Sequence, residues 1–307
     1  MGELTREKFI VTGCEENQNF DSLERYSITY WQKARKRFLE NKGAIICLLF
    51  ILLIILMTII GPHLTKYKFN QEVYKSVLRN AAPSREHWFG TDGKGRDIFA
   101  RMWMGARGSL FIGFTVAFIN IGIGVIYGSI CGYFGGLVDE VIMRIVEIVM
   151  SIPNMMMIIL MSIILGSGLL NIIAAMSITG WCGVTRIIRG QIMQIKRQEY
   201  ILAAEALGAS SSRIISKHLV SNIIGITIVT ITLEIPSVIS TEMMLTFAML
   251  IDAGSAMTWG TVGKDLGAAL IVYPYQVYIP YTIISLTLIC FNIVGDALAD
   301  ALDPKLN

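Results

Sequence analysis

For 307 residues the chain has few charges: Asp, Glu, Lys and Arg together make up 16%. An ordinary soluble domain carries about a quarter, so a soluble globular class is excluded. The formal net charge is only +3, which gives a nucleic acid no basic surface to bind. Histidine is scarce. His63, His87 and His218 fall in three separate segments, which argues against a metal centre or a nucleophile triad. The five cysteines (Cys14, Cys47, Cys131, Cys182 and Cys290) stand singly without any CxxC spacing, and read as small apolar or tail residues. No HExxH, Gly-x-Ser-x-Gly or intramembrane-protease aspartate motif occurs. Nor is there a GxxxxGK[ST] loop, and Gly93-x-Gly95 follows no strand, so the chain binds no nucleotide by any motif it carries.

What is abundant is apolar sequence, 54% of the residues, with a mean hydropathy of +0.60. Such a chain is an all-α polytopic membrane protein. Residues 1–43 are expected to form a cytoplasmic tail. Lys33, Arg35, Lys36, Arg37 and Lys42 stand directly before the first apolar run, a positive-inside signal. That run begins late and lacks a small-x-small exit site, so no cleavable signal peptide is expected. Residues 44–60 make a first span, about 26 Å at 1.5 Å per residue, ended by Gly61-Pro62. Residues 61–107 then form an external loop, despite holding nine Lys or Arg, because the charge rule weakens in longer loops. A core of five spans over 108–296 comes next, and a cytoplasmic tail over 297–307.

Within that core the expected spans are 109–130, about 141–165, 169–188, 222–240 and about 278–294. The glycines of the first of these, Gly113, Gly122, Gly124 and Gly128, allow close helix packing. Pro153 is expected to kink the third span of the chain near its middle. Residues 241–251 are too short to cross and read as a separate interfacial or re-entrant helix. Three intramembrane carboxylates, Glu147, Glu234 and Glu242, are candidates for an aqueous path, since charge in a bilayer is costly and usually has a role. Each reads equally well as a packing partner, and Arg144 stands three residues before Glu147.

The one long polar stretch between spans covers 189–221. Tyr200, Ala203, Ala204 and Leu207 recur at i, i+3, i+4 and i+7 on one helical face. Gly208 suits a left-handed stop, and Ser210 or Ser211 suits the cap of a second helix carrying Ile214, Ile215, His218 and Leu219. The product is a helix–glycine–helix elbow. By pattern alone it is either a docking element or an amphipathic connector.

The stretch EYILAAEALGAS…RIISKH..SN resembles the coupling loop, or EAA loop, of importer-type ABC permeases. It is most similar to the dipeptide and oligopeptide subfamily, with Leu202 standing where many members carry Glu and Ser221 where the family has Pro. HWFGTDGKGRDIFARMWMGARGSL, VDEVIMRIVEIVMSIP and the closing GDALADALDP resemble further motifs of that subfamily. Around Glu242 the match holds at Leu245, Phe247, Trp259 and Gly260, but the family's prolines there are missing. The resemblance covers residues 30–307. It implies a type I importer permease with six spans and both termini inside the cell membrane. Glu199, Tyr200, Ala203, Ala204, Leu207, Gly208, Ala209, Ile214 and His218 would then couple to an ATPase. The implied partners are a homologous sister permease, two ATPase subunits holding ATP and Mg, an external peptide-binding protein and membrane lipid. This chain itself would be no enzyme and bind no cofactor or metal. Oligopeptides are the first expected cargo, then dipeptides, then a nickel chelate. The rivals are a self-contained proton-coupled carrier using Glu147, Glu234 and Glu242, and a membrane scaffold without a path. No internal repeat of the kind such carriers show is visible.

Overall fold

The computed structural model describes residues 30–70, 79–267 and 269–303. The expected N-terminal tail over 1–29, part of the external loop at 71–78 and the chain end at 304–307 lie outside the described residues. Among the described residues the chain is helical, with no strand beyond a single bridge between Thr91 and Asp97. Five helices are long and apolar enough to cross a membrane. They are α2 (Lys42–Leu64), α3 (Ile98–Phe134), α6 (Leu169–Ile195), α10 (Ile224–Phe247) and α12 (Tyr275–Leu302). A bent pair, α4 (Gly136–Ser151) and α5 (Asn154–Leu165), makes a sixth if counted as one span. Short elements complete the chain: α1 (Tyr30–Glu40), α7 (Glu199–Ala206), α8 (Ser211–Arg213), α9 (Val220–Asn222) and α11 (Trp259–Gly267).

Several expected boundaries move, each for a physical reason. Gly61-Pro62 does not end the first span, and α2 runs on to Leu64. A proline leaves the carbonyl four residues back without its helical partner. Here Arg107 supplies one, donating from Nε to the Thr58 carbonyl and from Nη2 to that of Ile59 at 3.0 Å. Gly61 meanwhile admits Trp103, whose ring would lie 2.5 Å from a Cβ built there.

The third span is broken rather than kinked, with 84° between α4 and α5. Ile152, as the residue before Pro153, is pushed to extended backbone (φ −88°, ψ 128°), and the helix restarts after the proline. Residues 241–247 are not a separate helix, because α10 passes through them unbroken. The expected external loop is helical from Ile98 onward, and the expected C-terminal tail is helical through Leu302. That last stretch is held by Ala34 of α1, Val229 of α10 and Leu302 packing together.

Two packings position everything else. Gly124, Gly128 and Gly132 of α3 recur every four residues and face Val184, Ile188 and Ile192 of α6. A Cβ on any of them would come within 2.8 Å of those side chains. Without side chains on one helix the two backbones approach closely, so α6 and the polar stretch after it are fixed to α3. Gly122, by contrast, has open space around it and takes no part. On the other side, α3 packs with α2, α10, α11 and α12 around Trp259, which is fully buried.

Candidate functional site

The elbow grows directly out of α6. Lys196 ends that helix with its Nζ 2.5 Å from the Tyr133 carbonyl and 5.1 Å from the centre of the Tyr133 ring. Arg189, one helical stretch earlier, holds Asp139 of α4 through two contacts of 2.5 Å. After one extended residue, Gln198, α7 begins. Its sole buried residue is Ile201, fully enclosed with Ile188, Ile192, Ile214 and Leu219.

α7 closes as its sequence requires. The Gly208 N–H donates to the Glu205 carbonyl at 2.9 Å and the Ala209 N–H to the Ala204 carbonyl at 3.1 Å. This paired pattern is the Schellman closure, and it needs a left-handed residue. Gly208 supplies it at φ 78°. Ser210 takes the N-cap position of α8 with extended backbone, but its side chain makes no capping bond. Between α8 and α9 the chain winds as a π-helix over Ile214–Leu219, where the sequence pattern predicts ordinary helix. The wider winding brings residues five apart onto one side, so Ile214 and Leu219 are both fully buried against Ile201.

This geometry divides the predicted coupling residues. Ile214 is fully buried inside its own subunit and anchors the elbow from within. Ala204, Ala209 and His218 are half-buried at the edge of that anchor. Glu199, Tyr200, Ala203, Leu207 and Gly208 are exposed, Tyr200 by 46% and Leu207 by 89%. A leucine so open, beside an exposed tyrosine and alanine, is apolar surface presented outward on a rigid mount. Leu202 is exposed as well, around the helix from Tyr200.

The three intramembrane carboxylates separate too. Glu242 is fully buried; Oε2 accepts from Ser109 Oγ at 2.9 Å and Oε1 from Thr246 Oγ1 at 3.0 Å. Ser109 Oγ in turn accepts from the Trp259 N–H at 2.9 Å. The group ties α10, α3 and α11 together, so its reading as a path-facing residue gives way to a packing role. Glu147 is exposed and pairs with Arg144 at 3.1 Å, as the three-residue spacing suggests. Glu234 is half-buried, with Oε1 accepting from Asn120 Nδ2 at 3.0 Å.

A third cluster is one that sequence reasoning does not assemble. Asp92 Oδ1 accepts the N–H groups of Lys94 and Arg96, each at 2.9 Å, and Oδ2 pairs with Arg96 Nε at 2.7 Å. Arg96 also reaches Asp265 of α11 at 3.0 Å, and the buried Arg101 reaches the same carboxylate. His87 Nδ1 meets Asp97 at 2.8 Å, while Asp97 caps α3 through the Ala100 N–H. Gln276 of α12 donates to the Thr91 carbonyl at 2.9 Å. The GTDGKGRD stretch is thus a folded lobe joining three helices. Nothing local in the sequence points to Asp265 or Gln276, which lie more than 160 residues away from it.

Known proteins place these features in a family. Residues 124–307 match the model of the binding-protein-dependent transport system inner membrane component. Residues 29–83 match the N-terminal TM domain of oligopeptide transport permease C. The oligopeptide transport system permease protein OppC of Bacillus subtilis is 46% identical over 288 residues, covering 93% of each chain. The dipeptide permease DppC of the same organism is 42% identical over 98% of this chain and 93% of its own. OppC of Escherichia coli K12 is 38% identical over 94% and 96%. Among solved structures, a chain of the MetNI methionine ABC transporter in inward-facing conformations superposes with a TM-score of 0.50. It is 19% identical and covers 64% of this chain and 97% of its own, a likeness of fold alone.

Proposed function

Because the chain belongs to the family of inner-membrane components of binding-protein-dependent transport systems, we propose that it is a permease subunit of an ATP-driven peptide importer. Oligopeptides are the first cargo and dipeptides the second, after the relatives named for them. It forms half of the path beside a homologous sister permease, receives peptide from an external binding protein and is driven by two ATPase subunits. No cofactor or metal is held by this chain, and ATP with Mg sits on the ATPase partners. The basic block from Lys33 to Lys42 supports cytoplasmic termini, with the elbow on the same side and the Asp92 lobe outside.

The observation that carries this reading is the elbow. It presents Tyr200, Ala203 and Leu207 outward, yet is pinned by Ile201 to the α3–α6 pair. An ATPase that grips the exposed side therefore moves α6, and with it the bundle, as a lever. The α3–α6 glycine contacts leave little slack between grip and path.

Reconstitution tests it. Proteoliposomes holding this chain, its sister permease and both ATPase subunits, with binding protein outside, take up an oligopeptide only when ATP is supplied to the ATPase side. The chain alone shows neither ATP hydrolysis nor uptake. Uptake by the chain alone under a pH gradient would overturn the proposal in favour of a proton-coupled carrier.

A further inference from the structure

We propose that Glu234 is a cation-recognition point on the wall of the transport path, and that it receives the α-ammonium group of the peptide. This rests on the importer reading above and adds to it a residue and a ligand chemistry.

The first observation is a polar stripe. Along α10, Thr227, Thr230, Glu234, Ser237 and Thr241 alternate three and four residues apart, which keeps them on one side of the helix. Ser237 is exposed and the other four are half-buried, while Ile235, Val238, Ile239 and Glu242 on the other sides are buried. A helix crossing lipid presents apolar residues to it, and a polar stripe on an open face marks a water-filled route or a partner helix. The hydroxyls of Thr227, Thr230 and Thr241 already bond the carbonyls four residues back, at 2.8, 2.8 and 2.9 Å. They therefore need no partner helix to satisfy them. The carboxylate differs, because only water or a positive charge satisfies its free oxygen.

The second observation is how Glu234 is held. Its Oε1 accepts from Asn120 Nδ2 at 3.0 Å, and its Oε2 has no hydrogen-bond partner among the described residues. Asn120 is 1% exposed, and its Oδ1 lacks a partner as well. The amide fits there because residue 180 on α6 is glycine, where a Cβ would stand 2.0 Å from Asn120 Nδ2. Three helices thus cooperate to hold one oxygen of a carboxylate and leave the other on the open stripe. An amide donor orients a carboxylate without neutralising it, as a lysine or arginine would. Glu242, about 12 Å further along the helix at 1.5 Å per residue, shows the contrast: both its oxygens are taken by hydroxyls.

The ligand chemistry comes from a feature that peptides share. Their side chains vary, but every unblocked peptide carries an α-ammonium group, and a fixed carboxylate in a low-dielectric passage attracts it whatever the sequence. Asn120 is a positioning residue and touches no cargo.

The test uses the full transporter, with the five native cysteines replaced and a single cysteine at Ser237→Cys, one turn from Glu234. It is labelled with a trimethylammonium methanethiosulfonate and with a sulfonate one, in each nucleotide state. Their rate ratio is divided by the ratio for a free thiol in solution. The corrected ratio should favour the cation about tenfold, as an attraction of about 1.4 kcal/mol would produce, and collapse to near one in Glu234→Gln. Asn120→Ala, which frees the carboxylate to turn, should lower the ratio while leaving labelling itself intact. A saturating free-amine tripeptide should slow labelling, and its N-acetylated form should not. No labelling at 237 in any state, or a ratio unchanged by Glu234→Gln, overturns the inference. If the labelling behaves as expected but reconstituted transporter takes up no peptide, the importer reading fails and the cation preference stands.

Discussion

The Asp92 lobe and the elbow after α6 are both polar segments standing outside the apolar spans, yet they are built in opposite ways. The lobe is closed on itself. Asp92, Arg96 and Arg101 converge with Asp265, and each helix that enters is tied by a charged or amide group. The elbow is tied on one side only, through the enclosed Ile201, Ile214 and Leu219, and leaves Leu207 89% exposed. Buried charge paired across helices holds a shape, while apolar surface exposed on a fixed mount is open to a partner. The length of α3 makes the lobe possible: 37 residues reach about 56 Å, well past a hydrocarbon core of about 30 Å, so its first turns belong to the lobe.

The sharpest break in this comparison is Asp92→Ala. It removes the buried carboxylate that faces Arg96 and Arg101, leaving them Asp265 alone, whose side chain is 33% exposed. Stranding buried guanidinium groups costs about 3–5 kcal/mol. The purified chain in detergent should lose a large part of its thermal stability, while its elbow still retains the ATPase subunits wherever the chain survives. An unchanged melting temperature would show that the lobe is not a structural lock.

Elbow variants should behave in reverse. Ala203→Trp places a bulky ring on the exposed side beside Tyr200 and Leu207, and overpacking a docking site costs about 1–3 kcal/mol. Co-purification of the ATPase subunits should fall about tenfold or more with no change in melting temperature. Leu202→Glu, at an exposed position around the helix from Tyr200, should be mild in the same assay. Retention of the ATPase by Ala203→Trp at the unmodified level would remove the elbow from the docking surface.

Gly208→Val should show a smaller effect of a different origin. A Cβ at Gly208 meets nothing within 4 Å, so sterics with neighbours contribute nothing. What remains is the left-handed backbone, at a cost of about 1–2 kcal/mol. ATPase retention and uptake should drop together, and Gly208→Asn, which tolerates φ > 0, should recover much of both. Equal loss in the valine and asparagine variants would point to surface contact at 208 rather than backbone shape.

Much of the elbow is legible in the sequence because its signals are local. Gly208 sits where a left-handed stop is needed, and Tyr200, Ala203 and Leu207 fall on one exposed side. The burial of Ile214 is not legible there: an α-helical repeat of 3.6 residues is the default reading, and π winding alters which residues turn inward. The end of α2 is misread because the proline rule assumes that nothing replaces the lost bond. Arg107, 45 residues beyond Pro62, replaces it.

By itself the sequence determined that this chain is a bundle of membrane helices with an elbow between the fourth and fifth spans. Apolar run length and glycine position are properties of neighbouring residues, and they act before any helix meets another. The tertiary structure decided what the two carboxylates of α10 do. Glu234 and Glu242 lie eight residues apart on one helix, and no local rule separates them. One is enclosed because Ser109 and Thr246 complete its shell, and the other is left half-open because Asn120 offers a single donor across the space Gly180 leaves. The fate of a carboxylate in a membrane depends on which hydroxyls and amides surround it, and the deciding ones here, Ser109 and Asn120, arrive from α3, more than a hundred residues away in the chain.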